Sequence, residues 1–136
     1  MSEIKEILQR IIVWTKLKCR IQLSKQKEVY FSEREIWWAH LGENIGSEQN
    51  GKNDQFDRPV LIIKKFNPSL LLILPMTTSE KDGKYYVATS HNGGQRPAKV
   101  VLSQVRTISS RRLIKKQRTL PELEFREIRR RLKEML

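Results

Sequence analysis

Apolar residues in the first 23 positions recur at three- and four-residue spacing: Ile4, Ile7, Leu8, Ile11, Ile12, Trp14 and Leu17, with Glu3, Lys5, Glu6, Gln9, Arg10 and Lys16 between them. That period predicts an amphipathic helix from Ser2 to about Leu23, with Ser2 as its N-cap and its apolar face packed on the domain that follows. From Glu35 the pattern shortens. Strand-like runs occupy Glu35–Leu41, Val60–Lys64, Leu70–Met76, Lys84–Ser90 and Lys99–Val105, and a short one covers Lys115–Leu120. In the first of them, alternation places Ile36, Trp38 and His40 on one face and Trp37, Ala39 and Leu41 on the other. Leu70–Met76 is almost uninterrupted apolar sequence, as a strand covered on both faces requires. Ser109 is placed to cap a helical turn, and Pro121 to open a terminal helix with Leu123, Ile128, Leu132 and Met135 near one side. The strands follow one another without crossover helices. The expected class is therefore α+β, a small antiparallel barrel over residues 35–136 with a terminal helix, preceded by a helix and basic connector over 1–34 that pack on it.

Between the first two strands lies a long polar loop, Gly42–Asp57. Loops longer than about a dozen residues without structure of their own are uncommon in compact domains and often functional. This one contains Gly46, Ser47, Glu48, Gln49 and Gly51 and runs into Arg58-Pro59. The proline biases Arg58 toward extended backbone, which puts a planar, permanently charged donor at the mouth of the sheet. The third strand ends on hydroxyls, Thr77, Thr78 and Ser79.

Charge narrows the partners. The chain of 136 residues has a formal net charge of +12, and from Arg106 onward 11 Lys or Arg face 4 Glu. A balance of this kind predicts a polyanionic partner, nucleic acid or an acidic protein segment. A single cysteine, Cys19, forms no internal disulfide, and two histidines with one cysteine build no structural zinc site. No apolar run approaches a membrane span, so a cytoplasmic protein with neither metal nor cofactor is expected. His40 and His91 are the two imidazoles available for proton transfer near neutral pH. A strand histidine held by a hydrogen bond is the simpler account of His40, and a turn residue in His91-Asn92-Gly93-Gly94 that of His91.

The ordered motifs E-I-W, L-G, G-S-E-Q-x-G, R-P-V-L-I-I, L-P-M-T-T and Q-V-R-T-I-x-S-x-R-L resemble those of the MazF/PemK family of toxin endoribonucleases, the toxic halves of bacterial toxin–antitoxin pairs. The likeness runs from Glu35 to Leu136. An N-terminal segment of more than thirty residues and a longer gap between Gln49 and Arg58 depart from the family pattern. The resemblance implies an SH3-like barrel that dimerises, with RNA in the dimer groove and a cognate antitoxin competing for it. Operator DNA would be reached only through the antitoxin.

By the same resemblance Arg58 and Thr77 stand where the family keeps its catalytic arginine and threonine. Cleavage of single-stranded RNA without a metal uses the ribose 2′-hydroxyl as nucleophile, and the protein must accept its proton, balance charge on the phosphorane and protonate the leaving oxygen. A guanidinium fits the second task and, with a pKa above about 12, not the first. No complete acid–base pair carries over; Glu48 is the expected base if its loop folds over the scissile bond. Gly46, Ser47 and Gln49, together with Thr78, Ser79, Gln104 and Arg106, are the expected RNA contacts. For Gln104 and Arg106 a structural role in tying the barrel together is an equal alternative. The competing function is a non-catalytic protein of the same fold that grips nucleic acid or blocks a target such as a topoisomerase.

Overall fold

The computed structural model describes residues 2–25, 28–90 and 97–136; the His91-Asn92-Gly93-Gly94 turn expected from sequence lies outside them. Helix α1 spans Ser2–Leu23, and the sheet is built from β1 (Glu35–His40), β2 (Asp57–Asn67), β3 (Leu70–Thr77), β4 (Tyr86–Ala88), β5 (Lys99–Val101), β6 (Arg106–Ser109) and β7 (Leu113–Thr119). Helix α2, Glu122–Met135, closes the chain. All pairings are antiparallel, in the order β4-β5-β3-β2-β1-β7, with β6 also on β3.

Alternation explains why the middle strands read as continuous apolar sequence. Leu61 and Ile63 of β2, with Leu74 and Met76 of β3, join a cluster covered by Phe125, Ile128 and Leu132 of α2. Their neighbours Val60, Ile62, Leu71 and Ile73 turn the other way, onto Phe31, Trp37, Ala39 and Leu41. Both faces of the sheet are thus buried, and a one-residue slip in register would exchange the two sets. The β2–β3 turn is fixed by Asn67 Oδ1, which accepts from the Ser69 amide at 2.8 Å.

The run Lys99–Val105 does not form one strand. It breaks after Val101 into a 3-10 turn, Leu102–Gln104, so that β5 pairs with Met76-Thr77 and β6 with Leu70–Ile73 along the same edge of β3. This corner curls the sheet toward a barrel. Among the described residues the backbone does not close it: β4 and β7 remain its edges, bridged by Arg118 of β7, which donates to the Ser90 carbonyl at 3.0 Å.

Three local expectations are corrected. Ser2 is already within α1, and Pro121 precedes the first helical residue of α2 as its cap position. Leu123 is exposed, and Phe125 takes the buried place on α2. The cap at Ser109 forms as expected, its Oγ accepting from the Arg111 amide at 3.1 Å above the turn Ser110–Arg112. Of α1, Trp14 alone is buried, while Ile4, Ile7, Leu8, Ile11 and Ile12 are 40 to 58% exposed. The helix therefore touches the sheet domain through one aromatic anchor and a few polar contacts, not along its whole apolar face. Among the described residues no helix is long and apolar enough to cross a membrane.

Candidate active site

Arg58 is the second residue of β2, and its side chain is buried, 7% exposed. Its Nε donates to the Asn50 carbonyl at 2.7 Å and its Nη1 to the Met76 carbonyl at 3.1 Å. A guanidinium can only donate, so Gln49 must present its amide oxygen to it, 2.9 Å from Nη2 and 3.2 Å from Nε. Burial lowers the pKa of Arg58 from its ordinary value. The group nevertheless stays cationic, and its partners are neutral oxygens. Among the described residues no ion pair involves it, so its charge is fixed in place and uncompensated.

Thr77 ends β3 beside this charge. Its Oγ1 accepts from the Ser79 amide at 3.2 Å, which leaves the hydroxyl proton free to donate elsewhere. Arg58, Thr77 and Thr78 line one cavity of about 170 Å³, together with Trp38, Lys52, Asn53, Asp57, Pro59, Met76 and Ala98. The volume is below the roughly 300–1,000 Å³ of pockets that enclose whole organic ligands, and suits a phosphate with part of its ribose.

A second, larger cavity of about 610 Å³ is bordered by Gln49. Ser47, Glu48, Gln49, Gln104 and Arg106 line it with Asn44, Ser103 and Val105. Gln104 holds the loop in place here: its Oε1 accepts from the Gln49 amide at 3.1 Å and its Nε2 donates to the Ser47 carbonyl at 3.1 Å. Asn44 braces the loop from within, donating through Nδ2 to the carbonyls of Leu41 and Gln49 at 3.1 and 2.8 Å. Glu48 accepts from the Ile45 amide at 2.9 Å, and its charge lies near enough to Arg106 to oppose the pKa lowering that burial imposes there. Arg112 is lowered by burial too, and further by the neighbouring charge of Arg106. Half-buried arginines that keep their charge in poorly solvated surroundings make a strong local field for an anion.

Of the residues expected from sequence, Arg58, Thr77 and Thr78 thus meet in one cavity, and Ser47, Glu48, Gln49, Gln104 and Arg106 in the next. Glu48 does not border the Arg58–Thr77 cavity. Gly46 and Ser79 line neither; Gly46, at φ +58°, forms an open turn. His40 is the hydrogen-bonded strand histidine, its Nδ1 donating to the Gln55 carbonyl at 2.6 Å. Trp38, Lys52 and Asp57 were not legible as site residues. Lys52 and Asp57 exchange both of their backbone hydrogen bonds, at 2.8 and 3.0 Å, and this closure of the loop brings both residues to the cavity. Among the described residues no group of three His, Cys, Asp or Glu gathers as a metal centre.

The family model for the PemK-like, MazF-like toxin of type II toxin–antitoxin systems matches residues 32–136. The chain belongs to this toxin family. The match covers the sheet and α2, and α1 precedes it. Solved structures share the fold. MazF (Form-I) from Deinococcus radiodurans aligns with a TM-score of 0.64 at 21% identity, over 79% of this chain and 97% of that one. The Mycobacterium tuberculosis toxin MazF-mt6 aligns with a TM-score of 0.58 at 20% identity, over 74% and 94%. A mycobacterial endoribonuclease in complex with its cognate antitoxin aligns with a TM-score of 0.57 at 13% identity, over 75% and 90%. The comparison with curated proteins finds no match.

Proposed function

We propose that this MazF/PemK toxin is a metal-independent, sequence-selective endoribonuclease that cleaves single-stranded RNA by 2′-hydroxyl attack. The observation that carries this reading is the convergence of Arg58 and Thr77 on one phosphate-sized cavity. Of the five guanidinium N–H bonds, those used on Asn50, Met76 and Gln49 leave one hydrogen on each Nη for a phosphate oxygen. As the 2′-oxygen bonds to phosphorus and the bond to the 5′-oxygen breaks, negative charge grows on the equatorial oxygens, where a desolvated cation acts most strongly. The free proton of Thr77 orients the same phosphate.

In this proposal the 2′ proton passes to Asp57, which is among the residues lining the cavity, and not to Glu48, which lines the neighbouring one. Lys52 is the ammonium on the rim that returns a proton to the leaving 5′-oxygen. Trp38 offers a face for base stacking, and the cavity of Ser47, Gln49, Gln104 and Arg106 takes the adjoining nucleotide. The biological partners are a cognate antitoxin, a second copy forming a homodimer and RNA, with operator DNA reached only through the antitoxin.

The test is RNA incubated in EDTA with protein freed of antitoxin. Products ending in 2′,3′-cyclic phosphate and 5′-hydroxyl, abolished in Arg58→Ala, are expected; RNA left intact by the wild-type protein overturns the reading. One observation favours a non-catalytic binder instead: three neutral oxygens already hold the Arg58 donors. That alternative requires salt-sensitive nucleic-acid binding with no strand cut.

A further inference from the structure

We infer that α1, the helix outside the family-matched segment, is a brace for the catalytic loop and that Trp14 is its positioning residue. The inference rests on the proposed nuclease reading for its activity readout, but its geometry is independent of it.

The loop leaves β1 and returns to β2 through a narrow neck in which the amides of Leu41 and Gly42 both donate to the Phe56 carbonyl, at 2.8 and 3.1 Å. Trp14 covers this neck. A Cβ on Gly42 would lie 2.3 Å from Trp14 Cε2, so the indole is seated directly on the glycine backbone, which holds φ +84°. The ring also packs on Phe56, centroids 5.6 Å apart. One turn earlier Arg10 pairs with Glu43 at 3.1 Å and stands over the Phe56 ring, 4.3 Å from its centroid. On the far side Arg112 lies 5.7 Å above the indole and donates to the His40 carbonyl at 3.1 Å.

From the neck to Arg58 the route is short. The Gly42 carbonyl accepts from the Gly51 amide at 2.8 Å, and the residue before Gly51 is Asn50, whose carbonyl accepts from Arg58 Nε at 2.7 Å. Trp14 therefore presses on the backbone unit that sets where Asn50 stands, and Asn50 aims the guanidinium. A loop of this length needs such a support, because few apolar contacts of its own hold it down. Most of α1 is exposed; apart from Arg10 and Trp14 it is held at its C-terminal end, where Arg111 Nη1 donates to the Ile21 and Gln22 carbonyls at 3.4 and 3.1 Å, away from the loop neck.

Trp14→Ala, Trp14→Phe and Arg10→Ala are compared with wild type, and Ile4→Ser with Ile7→Ser serves as a control on the exposed part of the same helix. In Trp14→Ala, amides of residues 41–57 exchange about tenfold faster while those of β2 and β3 keep their protection. RNA cleavage falls about ten- to hundredfold in kcat with a smaller change in KM, as expected when a positioned cation drifts by a fraction of an ångström. Trp14→Phe restores most of both, Arg10→Ala shows a weaker form of the same pattern, and the control leaves both unchanged. Loop protection unaltered in both Trp14→Ala and Arg10→Ala overturns the inference. So does a uniform loss of protection across the sheet in Trp14→Ala accompanied by no loop effect in Arg10→Ala. If wild type cuts no RNA yet the loop exchange responds as described, the brace stands and the nuclease reading falls.

Discussion

Arg58 Nη1 donates to the carbonyl of Met76 at 3.1 Å, so the cation that introduces β2 is tied to the residue immediately before Thr77 on β3. Two strand ends that pair in the sheet thereby deliver a charge and a hydroxyl to one place. The relationship follows from register: Val60 pairs with Pro75, which puts Arg58 level with the end of β3.

Substitution of Arg58 by lysine keeps the charge and loses the fork. Arg58→Lys leaves the carbonyls of Asn50 and Met76 short of donors and costs about 1–3 kcal/mol of stability. Its RNA cleavage falls about a hundredfold or more, because a point charge does not reproduce a planar two-donor grip on phosphate. Thermal unfolding and initial cleavage rates, measured together, separate the two effects.

Thr77→Val retains the strand end and removes the hydroxyl. Cleavage is expected to drop about tenfold, the scale of one lost hydrogen bond of roughly 1.4 kcal/mol in the transition state. Stability changes little, since the Ser79 amide lies beside a loop open to water. A variant as active as wild type removes Thr77 from the chemistry.

Asp57→Asn tests the proton acceptor against Glu48→Gln. The first is expected to lower kcat about a hundredfold, within the range general-base removal covers, and the second to leave kcat near wild type while removing the negative charge near Arg106. The reverse ranking, read from single-turnover rates, moves the base to the larger cavity.

Gln104→Ala removes both hydrogen bonds that hold Ser47 and Gln49. A rise in KM with about 1 kcal/mol lost stability is expected if the residue chiefly fastens the loop. A change in cleavage-site preference, read by sequencing the cut ends, marks it as a contact to the base.

Glu35 ties β1 to its surroundings, accepting from Trp37 Nε1 at 2.9 Å and the Ser32 amide at 3.0 Å, with Lys116 at 3.3 Å. Burial works against its charge, yet these donors hold its pKa below the usual carboxylate value. A depressed folded pKa adds stability above the unfolded pKa and loses it as pH falls through the folded one. The advantage of wild type over Glu35→Gln in denaturant unfolding should then be about 1 kcal/mol near pH 7 and fall away as acidification takes the carboxylate through its lowered folded pKa.

Periodicity and turn chemistry in the sequence by themselves determined both helices and the strands other than β6, that Leu70–Met76 is covered on two sides, and that Arg58 and Thr77 stand at strand ends. These properties are local: within a strand or helix, spacing alone says which face a side chain takes. Only the tertiary structure decided that Lys99–Val105 breaks at a corner, that Glu48 opens on a different cavity from Arg58, that Asp57 and Lys52 join the latter, and that α1 presses on the loop through Trp14 while Ile4, Ile7 and Leu8 stay exposed. The reason is that a loop side chain has no period to read. Its destination is set by partners far along the chain, Gln104 for Gln49 and Trp14 for Gly42, and those meet only once the sheet has brought its strand ends together.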